Sequence, residues 1–170
     1  MTVSKGAVRL GAAISLIAGG LLLVCTLRTA TSTRYRDQLQ LLMDEVIQLN
    51  EPIVDAFAAG HAPRADELQE SRSGIDDILD KLESLGPPPK ALESAYSSVF
   101  ESATEFERAF EIMAVELTEG SGSPYSEGFL EAARRGGEAV HRSALALQVH
   151  PNRGLCSILA NALVARGQDR

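Results

Sequence analysis

The chain has 170 residues, no tryptophan and few aromatic side chains, with a formal net charge of −7 at neutral pH. That length suits one domain plus an anchor, and the composition favours helices over strands. The charge is split: before Asp37 there is no acidic residue, and Lys5, Arg9, Arg28, Arg34 and Arg36 supply +5. The remainder sets 11 Lys/Arg against 23 Asp/Glu, a net −12, so it repels phosphate backbones and nucleic-acid binding is excluded from the reading.

After a short tail over 1–9, the run "LGAAISLIAGGLLLVCTL" places eighteen uncharged residues between Arg9 and Arg28. As a helix it spans roughly 27 Å, close to the thickness of a hydrocarbon core, and a transmembrane helix is expected over 10–28. Cleavage as a signal peptide fits poorly, because a cut after Ala30 would put Arg28 where a small residue is needed. Lipidation of Cys25 fits poorly too, because Val24 precedes it. Ala7, Gly11, Ser15 and Gly19 recur every four residues and would line one face of this helix. Small side chains at that spacing let a second membrane helix approach closely, either from another membrane protein or from a second copy. Arg28, Arg34 and Arg36 would meet anionic lipid headgroups. Positive charge flanks both ends of the run, so orientation is weakly specified. The favoured arrangement puts the acidic body on the periplasmic or extracellular side.

Residues 29–36 read as a basic juxtamembrane joint, with "TATST" at 29–33 β-branched and polar. An acidic helical bundle is expected over 37–148. Leu39, Leu42, Val46, Leu49 and Ile53 form one stripe of a helix, which Pro52 would bend or restart and Gly60 would end. A second helix begins around Pro63, with Leu68, Ile75, Ile78, Leu82 and Leu85 on its buried face and Ser71 breaking the stripe. It stops at "GPPPK".

The third helix carries the clearest periodicity. Leu92, Tyr96, Val99, Ala103, Phe106, Phe110, Met113 and Leu117 alternate steps of four and three, a heptad seam. This seam could close a bundle or join two copies as a coiled coil. A fourth helix follows "GSGSP", with Phe129, Ala133, Val140, Ala144 and Leu147 on one side and Gly137, beside Gly136, in its seam. After a loop, Leu155, Ile158, Leu159, Leu163 and Val164 suggest a short closing helix within 149–170. The whole reads as all-α: one N-terminal transmembrane helix, then an antiparallel up-down four-helix bundle and a short C-terminal helix.

Chemistry is sparse. Glu138 and His141 make half of a carboxylate-bridged di-metal pattern whose other half is missing, so no metal is expected, and His61 and His150 lie in breaks. Glu101 and Glu105 fall off the seam and should face water. Tyr96, Phe106, Phe110 and Met113 could line an apolar pocket, although such residues at seam spacing usually form core. Arg134 and Arg135 before Gly136 could admit an anionic ligand, although a close helix crossing explains the glycines more simply. No phosphate loop, nucleophile elbow or Cys/His set is visible, so neither a cofactor nor an enzyme is expected. The leading reading is a non-catalytic accessory or scaffold subunit of a membrane complex. A helical bundle following a first membrane span also resembles the ligand-binding half of chemoreceptor-type proteins. That resemblance is architectural, lacks the second span and signalling region, and would imply a sensory bundle signalling through a partner.

Overall fold

A computed structural model describes the backbone of residues 5–120 and 125–149, and the side chains among these from Thr31 onward. It contains α1 (Lys5–Ala59), α2 (Ala65–Ser84), a single 3-10 turn (Lys90–Leu92), α3 (Glu93–Glu119) and α4 (Glu127–Leu147), with no strand among the described residues. The chain divides into two compact units, Met1–Tyr35 and Arg36–Arg170. In the first, residues from Lys5 onward are helical. Ala7, Gly11, Ser15, Gly19 and Arg28 have side chains outside the described set. Among the described residues no helix is long and apolar enough to cross a membrane, and the side chains of the span expected over 10–28 lie outside those residues. The closing helix expected at 155–164 also lies outside the described residues.

Residues 29–33 are helical and lie inside α1, and α1 continues through Pro52 without restarting. The helix stops instead at Gly60, whose φ of +75° suits glycine, with Gly60 and His61 donating to the carbonyls of Phe57 and Ala56. At the start of α4 the Ser126 hydroxyl accepts from the amide of Phe129 at 3.2 Å, satisfying one of the helix's orphan donors.

The second unit is a helical bundle whose successive helices run antiparallel. Glu45 on α1 pairs with Lys81 late on α2, while Leu49 faces Ser71 and Gly74 earlier on it. Tyr96, early on α3, reaches back to the carbonyl of Leu82 at 3.4 Å. On the α3–α4 side Glu101 pairs with Arg142, Phe106 meets Gly136 and Ile112 meets Gly128. The Arg36 guanidinium donates to the carbonyl of Leu147, joining the beginning of this unit to the end of α4. Each pairing matches rising numbers on one helix with falling numbers on the next.

The core follows the apolar stripes. Leu39, Val46 and Ile53 of α1, Ile75, Ile78 and Leu82 of α2, and Val99, Ala103, Phe106, Phe110 and Met113 of α3 are buried, as is Leu92 in the 3-10 turn. Tyr96 is half-buried. Leu117 departs from the seam at 36 % exposed. Ser71, expected to break the stripe of α2, is buried within it and donates to the carbonyl of Leu49 at 2.7 Å.

The α3–α4 contact depends on small residues. The two helices pack together, and their buried positions include Ala95, Ser98, Ser102, Ala103 and Ala109 on α3 and Ala132, Ala133, Gly136, Ala139, Ser143 and Ala144 on α4. Gly136, rather than Gly137, is the critical position. A Cβ there would sit 2.9 Å from the Phe106 ring, whereas one on Gly137 meets nothing within 4 Å. The Ser102 hydroxyl donates to the Gly136 carbonyl at 3.1 Å, so backbone and ring are in direct register.

Two substitutions separate these roles. Gly136→Ala gains helix propensity but overpacks the crossing, and should lower unfolding free energy by about 1–3 kcal/mol. Gly137→Ala gains propensity into open space and should raise it by up to about 1 kcal/mol. Denaturant unfolding of the full chain followed by circular dichroism checks both signs.

Candidate functional site

Three places in the second unit have the shape or charge to act on something else. The first is internal. Asn50, Ile53, Val54 and Phe57 of α1 meet Phe106, Phe110, Phe129 and Ala133 around a cavity of about 10 Å³. That volume is about the minimum for one water, and the apolar walls offer such a water few partners. The rings pack on one another: Phe57 meets Tyr125 edge-on at 4.8 Å, and Phe106 stacks with Phe110 at 6.3 Å. Phe106 and Phe110 are therefore core residues around a near-full space that holds no organic ligand as it stands, and Met113 is buried outside its lining.

The second place is an open groove of about 510 Å³ at the end of α1, lined by Gln48, Glu51, Pro52, Asp55, Ala56, Ala59, His61 and Glu67. Three carboxylates face it. Glu67 is committed to the start of α2, accepting from the Arg64 amide at 3.0 Å and lying 3.1 Å from its guanidinium. The exposed His61 ring has Nδ1 2.9 Å from the carbonyl of Ala62. The groove favours cations electrostatically, but among the described residues no three His, Cys, Asp or Glu side chains converge as metal ligands.

The third place is the charged outer strip of α3 and α4. Glu131 accepts from Arg134 at 2.8 Å and from Arg135 at 2.9 Å, and Arg134 also pairs with Glu138. These bonds hold the Glu131 carboxyl down at about 2 and raise the Arg134 guanidinium further. Both arginines before Gly136 are thus occupied by neighbouring glutamates. Glu138 bonds an arginine, and His141 is exposed, away from any second acidic pair. Glu105, expected to face water, is largely covered. One of its oxygens is buried without a hydrogen-bond partner, and the other lies 4.0 Å from Arg135.

The basic residues separate in role. Arg34 is exposed, free to meet an anionic surface. Arg36 is half-buried and bonded to the last turn of α4, where a cation offsets the negative end of the helix dipole, so its guanidinium is not available to headgroups as expected.

Sequence reasoning did not single out Gln48, Glu51, Asp55 and Glu67. The available signal was a pair of carboxylates four residues apart bracketing a proline inside a helix. No family model matches the chain, and no curated protein or solved structure matches it.

Glu131 provides a pH test. Its carboxyl titrates lower when folded than when unfolded, so its stabilising contribution is present above about pH 4.5 and disappears as pH falls towards 2. Carbon-detected NMR titration should find it ionised at pH 3, and Arg134→Gln should raise its midpoint.

Proposed function

We propose that this protein is a non-catalytic, single-pass membrane-anchored helical bundle, serving as an accessory or scaffold subunit of a larger membrane complex. The observation that carries this reading is α1, a single helix from Lys5 to Ala59. The eighteen uncharged residues between Arg9 and Arg28 therefore belong to the same helix that supplies the first wall of the bundle. A helix that traverses lipid has every backbone group satisfied internally, and an uncharged run of this length matches that environment. Ala7, Gly11, Ser15 and Gly19 would dock that segment against another membrane protein or a second copy. Arg28 and Arg34 would lie among anionic headgroups, with the acidic body on the periplasmic or extracellular side.

The packing of the body supports a role exercised through surfaces. Its core space near the aromatic rings is about 10 Å³, too small for a ligand, and its arginines on α4 are occupied by glutamates. The heptad seam of α3 is used inside the chain from Leu92 to Met113, which argues against a coiled coil between copies through that face.

A second reading, a ligand-binding or sensory bundle that signals through a partner, draws on the open groove beside Glu51, Asp55 and Glu67. Its carboxylates would select a cationic ligand.

Extraction of native membranes discriminates the two. The scaffold reading expects the full chain to resist alkaline carbonate, to need detergent, and to bring a second membrane protein with it in mild detergent. Recovery of this chain alone, together with thermal stabilisation by a cationic small molecule, would favour the sensory reading. Release by carbonate overturns the anchor in both.

A further inference from the structure

We infer that the last turns of α1, Ile53–Ala59, form a hinged segment that opens from the bundle at Pro52 while the rest of the helix stays packed. The inference stands on α1 and its neighbours in the second unit, independently of any anchor.

The hinge is a local loss of helical bonding. Pro52 has no N–H, so the carbonyl of Gln48 lacks its helical donor. One turn earlier, the buried Asn50 amide donates to the carbonyl of Val46 at 2.7 Å, placing a side-chain donor in competition with the helix ladder. Helices bend where such defects occur.

The segment beyond the hinge packs its inner face into the core and leaves its outer face to solvent. Beneath it lies the cavity of about 10 Å³ bounded by Ile53, Val54 and Phe57. Outside it lies the open groove of about 510 Å³, bounded by Pro52, Asp55, Ala56 and Ala59. On that side Asp55 and Ala59 are solvent-exposed.

Burial of Ile53, Val54, Ala56 and Phe57 holds the segment in the core, and Tyr125 ties down its far end. The Tyr125 hydroxyl donates to the carbonyl of His61 at 2.6 Å, and the Tyr125 ring meets Phe57 edge-on at 4.8 Å. Tyr125 lies before α4, so one side chain acts as a latch across the bundle. Opening would uncover Phe106, Phe110 and Phe129 from the α1 side, giving a closed core an apolar entrance. Such sub-global opening requires less free energy than unfolding the whole unit.

Hydrogen exchange with mass spectrometry on the full chain tests this. Protection at 53–59 should be at least about tenfold lower than at 39–46. Pro52→Ala restores the missing donor and should bring the two stretches to within about threefold. Tyr125→Phe removes the latch bond and should speed exchange at 53–59 by about threefold or more, with 39–46 unchanged. Equal protection in the parent protein overturns the hinge, as does a protection ratio that Pro52→Ala leaves unaltered. Should Pro52→Ala fail to fold, unchanged exchange at 53–59 in Tyr125→Phe overturns it.

Discussion

The Phe106 ring rests against the bare backbone of Gly136, and this contact sets how closely α3 and α4 approach. Around it, both helices present alanine and serine at their buried positions, so that the two backbones come near enough for Ser102 to donate to the Gly136 carbonyl. A larger residue at either helix would push them apart and leave the surrounding positions underpacked. The bulky residues lie at the flanks of this crossing: Phe110, Met113 and Phe129 fill the space that α1 closes from the other side. The bundle thus combines one narrow, small-residue seam with a wider aromatic one.

Polar groups in the core follow the same economy. Ser71, Ser102 and Ser143 are buried, yet each hydroxyl donates to a backbone carbonyl, two of them on a neighbouring helix. A buried hydroxyl with a carbonyl partner avoids the penalty of an unmatched donor. Glu105 is the contrast, with one buried oxygen left unmatched beside an arginine already engaged by Glu131. Across the strip Glu101 finds Arg142 at 2.7 Å, whereas Glu105 is left 4.0 Å from Arg135.

Periodicity made the helices legible. Stripes such as Leu39–Val46–Ile53 and the heptad from Leu92 to Met113 identify faces because a helix repeats its direction about every 3.6 residues. What periodicity could not convey is which of two adjacent residues lies in the seam: Gly136 and Gly137 differ by one helical step, and only the position of Phe106 decides between them. Proline left two outcomes open, a bend or a restart, and α1 excludes the restart. Pro52 carries a local penalty that the burial of Ile53, Val54 and Phe57 outweighs, so α1 continues where isolated propensity would stop it. The groove beside Pro52 was hidden because its walls come from the end of α1 and the start of α2, which no single stretch of sequence places together. The assignment of Arg36 to the last turn of α4 depended on a contact across 111 positions.

That contact has a mechanical side. The second unit begins at Arg36, which touches Leu147 at the end of α4. A pull applied between them would part α1 from α4 one contact after another, as a zip opens, instead of sliding the helices past each other all at once. Resistance to peeling is set by the weakest bond in line, while resistance to sliding sums over the interface. The junction of α1 with α4 is therefore suited to load spread over its flanks and poorly suited to tension drawn between Arg36 and Leu147.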